Sequence, residues 1–192
     1  MIDLNKFAID KAKEFDCNLS IINFIAEIRM VRLVEDKISL KDIIVNYSLK
    51  INDYIIESYQ YRNLSANIIM ISSIFDQQLY NFLNLLYGNP KKNNYDDLKK
   101  YFTNKNTFVS TDFSKIDVYH TIANALKHGQ SSKAYKTLIN DNSVYVQPNK
   151  DFPNLLKNNS FNLPILNISK STLKDFCLAI EDFWNSLNIK AI

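Results

Sequence analysis

Residues 64–90 read LSANIIMISSIFDQQLYNFLNLLYGNP, and this stretch decides the fold. Its apolar side chains recur every three or four positions, which is the spacing of one face of an α-helix. The members of this stripe are Ile68, Ile71, Phe75, Leu79, Phe82 and Leu86. Gly88 can end the helix, and Pro90 forbids its continuation. The pattern therefore predicts a helix from about Leu64 to Tyr87 with one buried face.

The rest of the chain repeats the helical spacing in shorter segments. Further helices are predicted over Leu19–Val34, from an N-cap at Ser39 to about Tyr61, around Tyr95–Phe102, from about Ser114 to Gly129, within 130–142, and from Ser169 or Ser171 onwards. Val144–Val146 is apolar enough for a brief strand or extended segment, and Thr103–Asp112 and Gln147–Pro164 are predicted to be loops, the second at the surface. We therefore predict one all-α domain over residues 1–192, a helical bundle with a long loop before its C-terminal helix.

The composition favours the same fold class. Only 2 of 192 residues are glycine and 4 are proline, whereas sandwiches, barrels and phosphate-binding loops need many turn glycines. The hydrophobic fraction of 46% is that of a folded protein. The formal net charge of +3 permits nucleic-acid binding without requiring it, because dedicated binding modules carry a larger basic excess.

The two cysteines, Cys17 and Cys177, lie near opposite ends of the chain. They are too few for a zinc knuckle or a disulfide framework, so we expect buried free thiols in a reducing cytosol. Residues 1–20 contain acidic residues such as Glu14 and Asp16, so no signal peptide is predicted, and no apolar run has the length of a membrane span. These features predict a cytoplasmic protein that does not enter a membrane.

The segment Ile116–Gly129, IDVYHTIANALKHG, carries both histidines of the chain. On a wheel of about 100° per residue, its apolar side chains fall on one side and a polar set on the other. The polar set is His120, Asn124, Lys127 and His128. Such a set is suited to ribonuclease chemistry with neither metal nor cofactor: an imidazole takes the 2′-hydroxyl proton, another group protonates the 5′-oxygen, and an ammonium holds the phosphate. The alternative is an ordinary solvated face opposite an apolar stripe.

The two histidines are two turns apart, about 12 Å at 1.5 Å per residue. His120 and His128 of one helix therefore cannot both touch one phosphate. A two-fold homodimer could bring equivalent groups together.

The same segment resembles the signature of the HEPN superfamily, helical domains of prokaryotic toxin and antiphage systems. Many members are metal-independent RNases that act as dimers. Their signature is an arginine, a polar residue (often Asn), three residues and a histidine on a late helix of a four-helix bundle. Here Asn124 and His128 match, whereas Ala123 stands where the arginine belongs.

Other segments carry the resemblance along the chain, from roughly Leu40 to Leu187. FDQQL at Phe75–Leu79 is similar to an acidic patch of many members. The pattern N-x-x-K-H-G at Asn124–Gly129 and the ending AIEDFW at Ala179–Trp184 are similar to one subgroup.

The resemblance implies a homodimer with RNA as substrate or ligand, in a defence or toxin setting with an antitoxin or other partner protein. His128 would be the acid/base and Asn124 the orienting amide, and the wheel adds Lys127 and His120 as phosphate contacts. The rival hypothesis is a HEPN-like binding or regulatory subunit without catalysis. It is favoured by the missing arginine, because Lys127 lacks the bidentate guanidinium with which an arginine binds phosphate.

Three other candidates have an ordinary explanation. Asp76 is either a buried carboxylate near the histidine helix or simply exposed, and we expect exposure. Phe183 and Trp184 could stack a base, but we expect them in the core. Lys99 and Lys100 are expected to be solvated charges.

Overall fold

The computed structural model describes residues 18, 20–26, 28–29, 53–88, 94–104, 112–154 and 165–187. Their α-helices are α1 (Asp53–Tyr87), α2 (Tyr95–Asn104), α3 (Ser114–His128), α4 (Lys133–Asn140) and α5 (Lys170–Ser186), with a 3-10 turn at Val144–Val146. Residues 20–26 and 28–29 are also helical. None of these described residues forms a β-strand, so the predicted all-α fold is confirmed. In the same ranges, no helix is both long and apolar enough to cross a membrane.

Helix α1 is one continuous helix of 35 residues. The predicted boundary between Tyr61 and Leu64 is therefore wrong, since Arg62 and Asn63 are helical and neither is a helix breaker. The predicted end is confirmed. Gly88 has a φ of +69°, which suits a residue without a side chain, and its N–H donates to the carbonyl of Asn84 over 2.9 Å.

The core lies where α1 meets α3 and α5, and aromatic rings fill much of it. The rings in mutual contact are Phe75, Phe82, Phe102, Phe113, Phe183 and Trp184. The Trp184 indole N–H donates to Gln78 Oε1 over 2.9 Å, so its one polar atom is satisfied in the interior. The prediction that Phe183 and Trp184 are core residues is confirmed. Cys177 is buried, as predicted, and Cys17 lies outside the described residues.

The segment between α4 and α5 differs from its prediction in two places. Val144–Val146 is a 3-10 turn rather than a strand, because the Ser143 hydroxyl accepts the N–H of Tyr145 and caps the turn. The stretch that follows is not all surface loop. Asn149 is fully buried, and its amide donates to the carbonyls of Leu166 and Ile168 over 3.0 and 2.9 Å.

The short helices agree with the sequence pattern. Those predicted around Tyr95–Phe102 and within 130–142 are α2 and α4. Of the two serines proposed to open the last helix, Ser169 is the cap, in a reciprocal hydrogen-bonded box with Thr172. The predicted N-cap at Ser39 and most of the predicted loop Thr103–Asp112 lie outside the described residues.

Candidate functional site

Helix α3 positions the predicted site residues, and its bounds confirm the predicted helix. It begins where Asp112 accepts the N–H of Ser114 over 2.8 Å, and it ends at Gly129, whose φ is +78°. The buried side chains of α3 are Ile116, Ile122, Ala123 and Ala125. This face packs into the core, and the polar side chains of α3 lie on the opposite face.

That opposite face forms one wall of a cleft of about 850 Å³, which we call the histidine cleft. Helix α1 contributes Asp76, and α2 with the residue before it contributes Asn94, Tyr95, Asp96 and Lys99. Helix α3 contributes Asp117, His120, Thr121, Asn124 and His128, and the start of α4 contributes Ser132, Lys133, Ala134 and Thr137. A volume of this size is in the range of small-molecule sites.

The predicted residues do not all reach this cleft. His120, Asn124 and His128 line it, in successive turns of α3. Lys127 is exposed and is not part of the lining. Ala123, at the position of the arginine in the resembled signature, is only 3% exposed and belongs to the core.

His120 is enclosed rather than solvated. Its ring stacks on that of Tyr95, with centroids 3.8 Å apart and planes 19° apart. Its Nδ1 lies 3.1 Å from the Asn124 amide nitrogen, and its Nε2 lies 3.5 Å from Asp76 Oδ1. The side chain is 15% exposed. Both ring nitrogens and one ring face are therefore occupied by the protein itself.

Asp76 lies beside His120, near the histidine helix as the first alternative proposed, but it is half-buried where that alternative had it buried. Its side chain is 32% exposed, so the expectation of simple exposure is wrong. The Oδ1 atom is buried and has no hydrogen bond within the described ranges, although the imidazole Nε2 is its neighbour. The sequence could not predict this contact, because Asp76 and His120 belong to different helices.

A second set of contacts fixes Tyr95 beneath the imidazole. The Tyr95 hydroxyl donates to Asp117 Oδ1 over 2.8 Å, and the Lys99 ammonium donates to Asp117 Oδ2 over 2.5 Å. Burial of the phenol, followed by the adjacent Asp117 carboxylate, raises the pKa of Tyr95 well above its usual range. Lys99 also lies 5.5 Å above the Phe113 ring. The expectation that Lys99 is an ordinary solvated charge is therefore wrong.

His128 lies at the other end of the cleft, and its surroundings are open. It is exposed in the last turn of α3, where the negative end of the helix dipole favours a cation. Across the short turn that follows, Lys133 is exposed at the start of α4, and the Ser132 hydroxyl caps that helix by accepting the N–H of Tyr135 over 3.1 Å. This end of the cleft can offer an imidazole and an ammonium to an anionic ligand.

Sequence reasoning did not single out Tyr95 or Asp117. Asp117 had a local signal, because it precedes His120 by nearly one turn on the same face of α3. Tyr95 had none, since nothing in the local pattern indicates that α2 crosses α3 at the imidazole. In the part of the chain that is described, no group of three or more His, Cys, Asp or Glu side chains is placed to hold a metal ion.

Comparison of the chain with protein-family models, with curated proteins and with solved structures finds no match.

Proposed function

We propose that the protein is a HEPN-like, metal-independent endoribonuclease of a prokaryotic antiphage or toxin–antitoxin system. One observation carries the proposal: Asn124 and His128, at the spacing of the resembled signature, line one cleft with the ammonium group of Lys133. The pairing of an amide, an imidazole and a cation in a cleft suits a phosphodiester substrate.

His128 is the acid/base in this proposal. Its exposed ring is open to a ligand, whereas both nitrogens of His120 face protein groups. His120 is therefore assigned a supporting role in place of the phosphate contact expected from the wheel. Lys133 takes over the phosphate contact expected of Lys127, because it lines the cleft and Lys127 does not.

We propose that the chain acts as a homodimer. Cleavage through a 2′,3′-cyclic phosphate needs one group to accept a proton and another to donate one. Each chain offers one open imidazole in the cleft, since the chain has only two histidines and His120 is enclosed. A two-fold axis beside the cleft would supply a second His128 from the partner chain.

The test is cleavage of tRNA, mRNA and rRNA by the purified chain in the presence of EDTA. We expect products with 2′,3′-cyclic phosphate ends. His128→Ala should lower the rate by about 10²–10⁴-fold, the usual contribution of a general acid or base. The matched control is Lys136→Ala, which alters an exposed residue of α4 outside the cleft and should leave the rate unchanged.

The second candidate function is a HEPN-like binding or regulatory subunit of a larger defence complex, without catalysis. Ala123 favours it, because a buried methyl group replaces the arginine of the resembled signature and Lys127 lies outside the cleft. This candidate would be supported if none of the three RNA classes were cleaved and a partner protein encoded beside this chain were captured. The same result would contradict the nuclease proposal.

A further inference from the structure

The end of the histidine cleft around His120 is acidic. Three of the side chains that line the cleft at this end are carboxylates: Asp76, Asp96 and Asp117. Burial, followed by the charges of Asp117 and the other two carboxylates, raises the pKa of the Tyr95 phenol, whose ring stacks on His120. All three carboxylates are therefore close enough to this ring to act on it.

The ammonium group of Lys99 offsets only one of these charges, because it donates to Asp117 Oδ2 over 2.5 Å. Within the ranges that the structure describes, no lysine or arginine pairs with Asp76 or Asp96. The chain as a whole has a formal net charge of +3, so the negative charge at these two residues is a local feature. A cation bound there would reduce the repulsion between the carboxylates.

An oxygen atom of Asp76 independently indicates a missing partner. Asp76 Oδ1 is buried and accepts no hydrogen bond from a described residue. His120 Nε2 lies 3.5 Å from it, which is longer than an ordinary N–H···O hydrogen bond. Buried acceptors without a donor are rare in native proteins, because nothing replaces their lost hydrogen bond to water. Since the Asp76 side chain is still 32% exposed and lines the cleft, a ligand with N–H groups can reach this carboxylate.

We propose that this end of the cleft binds an organic cation, whose ammonium or guanidinium group pairs with the carboxylates of Asp76 and Asp96. Such groups carry several N–H donors, and their hydrogen bonds to carboxylates are charge-assisted. A metal ion suits the site less well, because no group of three or more His, Cys, Asp or Glu side chains among the described residues is placed to hold one. The cleft of about 850 Å³ has room for a small organic molecule.

The other end of the cleft confines the cation to this position. His128 and Lys133 lie there, and His128 is two turns from His120 along α3, about 12 Å at 1.5 Å per residue. The Lys133 ammonium repels a second positive charge, whereas the two carboxylates attract it. A cation at the acidic end leaves the imidazole of His128 open, so this inference does not rest on the proposed function.

Two sources can supply the same cationic group. One is a free polyamine, and the other is an arginine or lysine side chain of a partner protein that enters the cleft. Spermidine is the probe for the first source, and N-acetyl-arginine amide is the probe for the second.

Isothermal titration calorimetry of the purified chain with each probe, at low salt and without RNA, tests the site. We expect saturable binding of at least one probe. Asp76→Asn should weaken this binding by about tenfold or more, the factor for a lost hydrogen bond to a charged group. Asp96→Asn should weaken it about two- to fivefold, because Asp96 is exposed. Asp182→Asn alters an exposed carboxylate of α5 outside the cleft, and this matched control should bind as the wild type does.

Thermal unfolding is the second measurement, and it also shows whether each variant is folded. A ligand that binds only the folded state raises the melting temperature. The probe that binds should therefore raise the melting temperature of the wild type and of Asp182→Asn, and it should raise that of Asp76→Asn less. If Asp76→Asn does not fold, Asp96→Asn decides the proposal, because its position is exposed.

The result also identifies the source of the cation. Tighter binding of spermidine indicates a free polyamine, and tighter binding of N-acetyl-arginine amide indicates a side chain of a partner protein. The proposal is overturned if neither probe binds at millimolar concentration, or if Asp76→Asn and Asp96→Asn bind as tightly as Asp182→Asn. Because no RNA is present, either result leaves the proposed nuclease to its own cleavage test.

Discussion

The two histidines lie on the same face of one helix, yet their surroundings differ in nearly every respect. At His120, three helices meet: Asp76 approaches from α1, Tyr95 from α2, and Asn124 follows on α3. At His128, the helix ends and the imidazole is exposed. A polar side chain whose nitrogens both face protein groups is closed to a ligand. One whose atoms remain open can act on a ligand.

The end of the histidine cleft around His120 also contributes more to the stability of the fold than the end around His128. Tyr95 is 6% exposed, and its hydroxyl would be costly to bury without the Asp117 carboxylate to accept its proton. Lys99 in turn offsets the charge of Asp117. The open end has no comparable set of contacts among its described residues, so substitutions there should change function and not stability.

The largest expected difference is between Tyr95→Ala and His128→Ala. Removing the Tyr95 ring deletes the stack on His120 and contacts to Phe75 and Phe113. We expect it to lower the free energy of unfolding by about 3–5 kcal/mol, the range for truncating a large buried aromatic side chain. His128→Ala should change it by less than about 0.5 kcal/mol. Urea denaturation of the two variants measures both, and similar losses would contradict the division of the cleft into two unlike ends.

A smaller effect is expected from Asp117→Ala, which leaves the Tyr95 hydroxyl without its acceptor. We expect a loss of about 1–3 kcal/mol, towards the lower limit because Asp117 is partly exposed and water can reach the site. Asp182→Ala is the control, since that carboxylate is exposed on α5. Equal melting temperatures for the two variants would show that the Tyr95–Asp117 hydrogen bond contributes nothing.

Alkaline pH offers a third comparison, through the phenols. Burial raises the pKa of Tyr95 and of Tyr61 well above the usual range, so the folded chain keeps protons that the unfolded chain releases above about pH 10. This contribution to stability is complete below that pH and is lost as the pH rises further. Tyr95→Phe should cost about 1 kcal/mol at neutral pH and flatten the alkaline decline. Urea midpoints along a pH series measure both effects, with Tyr59→Phe, at an exposed position, as the control. A Tyr95→Phe variant that loses stability at alkaline pH as steeply as the wild type would contradict this prediction.

The wheel predicted the position of α3 and the face that enters the cleft, because helical periodicity is a local property of the sequence. The burial of Ala123 and the shared face of His120, Asn124 and His128 followed from it, whereas the cleft that this face lines did not. Periodicity says nothing about which other helix lies against that face. The contacts of His120 with Asp76 and Tyr95 depend on how α1 and α2 cross α3, and no local pattern encodes the crossing.

The incorrect boundaries have an equally local cause. The polar residues Arg62 and Asn63 lie between the two predicted helices, but the helix continues through them because neither breaks it, and the buried residues on either side keep the helical spacing. The apolar triplet Val144–Val146 suggested a strand. The hydroxyl of Ser143 capped a turn there instead, and side-chain caps of this kind compete with regular structure.

The smallest predicted effect tests whether the open end of the cleft holds the ligand. Lys133 and Lys136 are both exposed on α4, but only Lys133 lines the cleft. If RNA lies in the cleft, Lys133→Ala should weaken its binding by less than about 1 kcal/mol, because exposed charge pairs contribute about 0–1 kcal/mol. It should also lower the slope of log affinity against log salt by about 1, the value for one lost phosphate contact. Lys136→Ala should leave the slope unchanged. Equal changes in affinity and in salt slope for the two variants would mean that RNA is attracted by the general charge of α4. That result would contradict the binding of a phosphate group in the cleft.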